Sequence, residues 1–80
     1  MTITAKYFGL IADFTKEIEE EFTIEKSDFS TEDLLNDLKQ KYSELQETSF
    51  VIAVNKNITS ENLNLKNNDI IALLPPFAGG

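Results

Sequence analysis

The sequence predicts one α+β domain, a mixed sheet of four to five strands packed on a single main helix. Three observations carry that prediction. Apolar residues alternate with period 2 near the amino terminus, an amphipathic helical stripe occupies the middle, and two short continuous apolar runs follow it. The expected order is β-β-α-β-β.

Ile3, Ala5 and Tyr7 alternate with Thr4, Lys6 and Phe8, the pattern of a first strand that Gly9 ends. Leu10 to Lys16 reads as a loop with a helical turn. Residues 19–25 alternate again, with Phe22 and Ile24 on one face, and predict a second strand antiparallel to the first. Ser30-Thr31-Glu32-Asp33 has the form of a capping box, with Phe29 and Leu34 placed as a hydrophobic staple. Leu34, Leu35, Leu38, Tyr42 and Leu45 then recur at helical spacing, so a helix is expected over 31–44. Its early Glu32, Asp33 and Asp37 and later Lys39 and Lys41 suit the helix dipole.

Phe50 to Val54 is short, apolar and β-branched, as a strand buried on both faces would be. Asn55-Lys56-Asn57 and Asn67-Asn68-Asp69 are turn chemistry. Between them Leu63 and Leu65 are expected to dip into the core. Ile70 to Leu74 forms the last strand. This order suggests a ubiquitin-like β-grasp, with the first and last strands side by side and parallel at the centre of the sheet. The domain is expected to span 1–74, and residues 75–80 to form an extended tail.

Composition narrows the function. The 80 residues hold no Cys and no His, and all seven cations are Lys. The chain therefore lacks disulfides, thiolate metal ligands, the usual general base and the bidentate Arg clamp for phosphate. Asp13, Asp28, Glu44 and Glu47 have no spacing that distinguishes ligands from surface charge. An enzyme acting on its own is not expected. The net charge of −7 opposes binding to nucleic acid or an anionic membrane. No apolar stretch approaches the roughly 20 residues of a membrane span, and no signal-peptide pattern is seen, so a cytoplasmic location is expected. Residues Glu17 to Glu25 read as a solvated acidic face, and Lys56 as a solubilising turn residue.

The ending Pro75-Pro76-Phe77-Ala78-Gly79-Gly80 is the most informative segment. Two prolines fix φ and push Leu74 towards an extended conformation. Two glycines, lacking Cβ atoms, suit passage through a narrow channel. At about 3.1 Å per residue such an arm would reach about 19 Å. Its working group would be the Gly80 carboxylate, with Pro75, Pro76, Phe77, Ala78 and Gly79 making partner contacts. The apolar face of the sheet opposite the helix is expected to join Phe77 in that contact. An acidic rim at Glu20 or Glu21 would meet basic partner residues.

With these features together, the chain resembles the small subunit of molybdopterin synthase, the sulfur carrier of molybdenum-cofactor biosynthesis. The resemblance rests on Tyr7-Phe8-Gly9, Ala53-Val54-Asn55, Asn68-Asp69-Ile70-Ile71-Ala72 and above all the terminal Pro75 to Gly80. Ile11-Ala12-Asp13 stands where the family commonly has a Leu-Arg-Glu-like segment, and Asn68 replaces its usual turn Gly. The resemblance implies a sulfur-donating subunit that binds no cofactor itself. Its partners would be an E1-like adenylyltransferase using ATP and Mg, a persulfide sulfur donor, and the large catalytic subunit in a 2+2 heterotetramer. Gly80 would pass from carboxylate to acyl-adenylate to thiocarboxylate and give its sulfur to cyclic pyranopterin monophosphate, building the dithiolene. The same tail would serve a thiamine-pathway sulfur carrier or a ubiquitin-like modifier. A non-covalent β-grasp binding module would not need it.

Overall fold

The computed structural model describes residues 1–76, so what the sequence predicts for Phe77, Ala78, Gly79 and Gly80 lies outside the described residues. Five strands and two α-helices follow in the order β1 (Thr2–Tyr7), α1 (Leu10–Thr15), β2 (Glu19–Thr23), α2 (Thr31–Lys41), β3 (Val51–Val54), β4 (Asn57–Thr59) and β5 (Ile70–Leu74). The sheet order is β2-β1-β5-β3-β4. β1 and β5 run parallel at its centre, Tyr7 opposite Leu73, while every other pairing is antiparallel. The ubiquitin-like β-grasp expected from the element order is the fold observed.

α2 covers one face. Ile3, Ala5 and Tyr7 from β1, Ile71 and Leu73 from β5, and Ile52 and Val54 from β3 meet Leu34, Leu38, Phe29, Leu45 and Leu65 in a single core. The capping box is complete: the Ser30 hydroxyl accepts from the Asp33 amide, and the Asp33 carboxylate accepts from the Ser30 amide. Those Ser30 donors hold the Asp33 carboxyl below its ordinary value. Leu65 is buried as expected, and Leu63 partly so. Backbone bonds from Thr31 to Leu63 and from Leu65 to Phe29 stitch this irregular stretch to the helix entrance.

Three expectations change. The helix stops at Lys41 because Tyr42 turns to φ −123°, ψ 93°, and a 3-10 turn at Ser43–Glu47 carries Leu45 into the core. Leu10 to Thr15 forms a genuine short helix, closed by Lys16 in the left-handed region. The turn read at 55–57 is shorter than expected, and Asn57 begins the edge strand β4. Asn55 and Lys56 take φ values of 50° and 74°, a two-residue hairpin turn whose twist matches its strands. Only Ile58 is apolar in β4, too little alternation to mark a strand.

Candidate functional site: the open sheet face and the base of the tail

The face of the sheet away from α2 is built by the strand positions that the core does not use. Residues opposite one another in the ladders point to the same side. Thr4 and Lys6 of β1 therefore share the open face with Ile70 and Ala72 of β5, and Ala53 of β3 shares it with Ala72 and Ile58. Phe8, Ile58 and Ile70 are 44%, 57% and 39% exposed there. A depression of about 320 Å³ is lined by Lys6, Phe8, Ala53, Asn55, Lys56, Ile70 and Ala72. Its lining is largely apolar and includes two of the chain's seven lysines.

A hydrogen-bond clasp fixes one wall of this depression. The Ile70 amide donates to Asn55 Oδ1 at 2.9 Å, and Asn55 Nδ2 donates to Asp69 Oδ1 at 2.9 Å. The Asn55 amide donates to the Ile70 carbonyl at 2.8 Å. Two motifs far apart in sequence, Ala53-Val54-Asn55 and Asn68-Asp69-Ile70, thus meet in space. Their meeting holds the hairpin turn, and with it Lys56, beside the root of β5. Lys56 was expected only to aid solubility; here it borders the open face.

β5 delivers the tail. Leu74 is paired with Val51, and the exposed Pro75 and Pro76 follow directly. Gly9, just past the end of β1, lies against the Pro75 ring. The tail root is therefore carried by the central strand, next to the open apolar face.

The acidic rim needs one correction. Glu19 and Glu21 lie opposite Lys6 and Thr4, on the open face at the β2 edge, as expected for Glu21. Glu20, by contrast, faces the helix. Its Oε1 accepts from Tyr7 Oη and Tyr42 Oη, both at 2.7 Å, and its Oε2 accepts from Lys41 Nζ at 2.6 Å. Partial burial opposes ionisation of Glu20, but the bonds from Lys41, Tyr42 and Tyr7 outweigh it and hold the carboxyl below its ordinary value. Burial and the bond to Glu20 push both tyrosine hydroxyls up. The Glu20 bond raises Lys41. The two tyrosine rings meet edge to face at 6.1 Å, and Lys41 Nζ lies 5.5 Å from the Phe22 and Tyr42 ring centres. A signal for this was present: Glu20 is in phase with Phe22 and Ile24, so period 2 puts it on their face.

The ThiS family profile matches residues 5–80. The chain belongs to the ThiS family. It is thus a ubiquitin-like protein of the sulfur-carrier type. Among solved structures, subunit 1 or 2 of the molybdopterin-converting factor complex from Helicobacter pylori matches over 100% of both chains, at 34% identity and a TM-score of 0.66. A Pyrococcus furiosus chain assigned as molybdopterin converting factor subunit 1 is 24% identical, with a TM-score of 0.83 over 95% of this chain and 98% of that one. Small archaeal modifier protein 1 from Haloferax volcanii matches over 100% of both chains at 18% identity and a TM-score of 0.81. The last two likenesses speak for the fold alone. No helix among the described residues is long and apolar enough to cross a membrane.

Proposed function

We propose that this ThiS-family protein is the sulfur-carrying small subunit of a molybdopterin synthase. The observation that carries the reading is the position of the tail root, on the central strand β5 and beside the apolar sheet face left uncovered by the helices among the described residues. A partner that docks on that face receives the tail at the same time. The 34% identity to a chain in a complex of subunits 1 and 2 supports the large subunit as that partner.

The chemistry belongs to the Gly80 carboxylate. A carboxylate is a poor electrophile, so one of its oxygens attacks the α-phosphate of ATP on an E1-like adenylyltransferase, and pyrophosphate leaves. The acyl carbon then accepts a persulfide sulfur as AMP departs. Cleavage of the resulting S–S bond by a thiol leaves the thiocarboxylate. In the large subunit this sulfur passes to cyclic pyranopterin monophosphate, with Pro75 to Gly79 as the threaded arm. Catalytic groups come from the partners, in keeping with a chain that has no His, Cys or Arg.

Intact-mass analysis of the protein recovered from its native cell tests the reading. The mass gain of one oxygen-to-sulfur exchange, mapped to Gly80, is expected, and removal of Gly80 should abolish it while the fold persists. Sulfur gain without dependence on Gly80 would sink the proposal. An isopeptide-linked product in its place would favour the protein-modifier reading.

A further inference from the structure

The open face of the sheet carries its charge unevenly. One row across it runs from Glu21 through Thr4 and Ile70 to Asn55. The acid stands at the β2 edge, and the turn that bears Lys56 closes the row on the opposite side. Glu21 and Lys56 are both exposed. In the next row Lys6, Ala72 and Ala53 separate Glu19 from Ile58. Among the described residues the one ion pair joins Lys41 to Glu20, on the helix side of the sheet, so neither Glu21 nor Lys56 is neutralised within them.

Such a face is complementary to itself. Sheets that pack face to face lie about 10 Å apart, with their strands within about 30° of each other. Two copies can meet in this way about a two-fold axis that runs along β5. The β2 edge of each copy then lies over the β3–β4 hairpin of the other, because these flank β5 on opposite sides. Glu21 of each copy faces Lys56 of the other, and symmetry forms both pairs at once. Ile70 meets Ile70 near the axis. The stem of Lys6 lies over Ala53 of the second copy, where a small side chain leaves room for it. A two-fold axis across the strands would instead set Glu19 and Glu21 on their own copies, like charge against like. The charge pattern thus favours the first arrangement. Five strands at about 4.8 Å spacing make the face about 19 Å wide, so the contact belongs to the small, transient class below about 1,200 Å².

We propose that the open sheet face is a self-association surface: two copies of this chain pair through it about an axis along β5, and reciprocal Glu21–Lys56 contacts set the register. The contact itself does not depend on the sulfur-carrier reading. Its consequence does. The face that the large subunit would take is covered in the dimer, so self-association and docking exclude one another. The free carrier shields the exposed Phe8 and Ile70 from water until a partner displaces the second copy.

Sedimentation velocity on the full chain, from micromolar to millimolar concentration, reads the association. The wild type should pass from monomer towards dimer over that range. Glu21→Lys and Lys56→Glu change exposed positions and should leave the melting temperature close to wild type. Each brings like charges together twice per dimer, so each should weaken self-association by about tenfold or more. The two shift the net charge in opposite directions, so a general repulsion between acidic chains would strengthen one and weaken the other. An equimolar mixture of the two variants restores both opposite-charge contacts and should associate as the wild type does. Amide shifts that change with concentration should map to β1, β5 and the Asn55-Lys56 turn. A wild type that stays monomeric at millimolar concentration, variants that associate undiminished, a mixture that stays dissociated, or shifts confined to α2 would each overturn the proposal. The purified large subunit should compete with the second copy, and one that binds without releasing it would overturn the shared use of the face. A large subunit that fails to bind a chain that still dimerises would count against the carrier reading and leave the self-contact standing.

Discussion

Ile70 begins β5 with 39% of its surface exposed, over the open-face depression it shares with Phe8 and Ala72. Most of its amide's needs are met by Asn55, so the strand start does not depend on the side chain. An aliphatic group held this way, beside an exposed Phe8, is suited to burial against a partner. Ile70→Ser should therefore leave the melting temperature close to wild type, since little core is lost. It should weaken binding to the purified large subunit by about tenfold, as expected for losing an aliphatic contact of about 1–2 kcal/mol. Calorimetric titration measures the second quantity, and an unchanged affinity would take the open face out of the docking reading.

At the level of elements, α2 is held at its two ends by different means. Its start is secured locally, by the reciprocal Ser30–Asp33 bonds. Ser30→Ala removes the side-chain acceptor and should cost about 1 kcal/mol, seen as a lower urea midpoint at constant slope. Its end is secured by tertiary contact, through Lys41 and Tyr42 on Glu20 of β2. Glu20→Gln exchanges an acceptor of three donors for a side chain that also brings donors of its own. Loss of about 1–3 kcal/mol is expected, because at least one hydroxyl or the ammonium then lacks its acceptor. A variant as stable as wild type in urea titration would mean that the network contributes nothing net, as some ion pairs do.

For the whole molecule, these groups set the pH range of stability. Glu20 and Asp33 have folded values below their unfolded ones. Their contribution is complete above about pH 4 and is lost as pH falls through the folded values. Tyr7, Tyr42 and Lys41 are raised in the folded state. Their contribution is complete below about pH 10 and is lost as pH rises through the folded values. Stability should be flat between these limits, with no step near pH 6–7, because the chain has no His. Glu20→Gln should reduce the acid limb in denaturation curves taken across pH, leaving the Asp33 share. An acid limb identical to wild type would show that Glu20 is not one of its sources.

What the sequence determined by itself is whatever depends on near neighbours. The capping box lies within four positions, the α2 stripe repeats every three or four, and the apolar run Ile70 to Leu74 has the composition of a strand covered on both sides. From these alone came the helix, the central parallel pair and the β-grasp, and the terminal residues supplied the carrier reading. Tertiary structure decided what needs partners distant in sequence. Glu20's phase with Phe22 and Ile24 marks its face in the sequence, but what it bonds there is decided by the arrival of Lys41 at the end of α2 and of Tyr42 just after it. Edge strand β4 has one apolar residue and exists because β3 offers it a ladder. The Asn55–Ile70 clasp joins residues a strand-and-loop excursion apart, and the approach of Gly9 to Pro75 joins residues separated by nearly the whole chain. Such contacts leave no periodicity in the sequence, since what selects them is the pairing of β5, antiparallel with β3 and parallel with β1, and those pairings are a property of the assembled sheet.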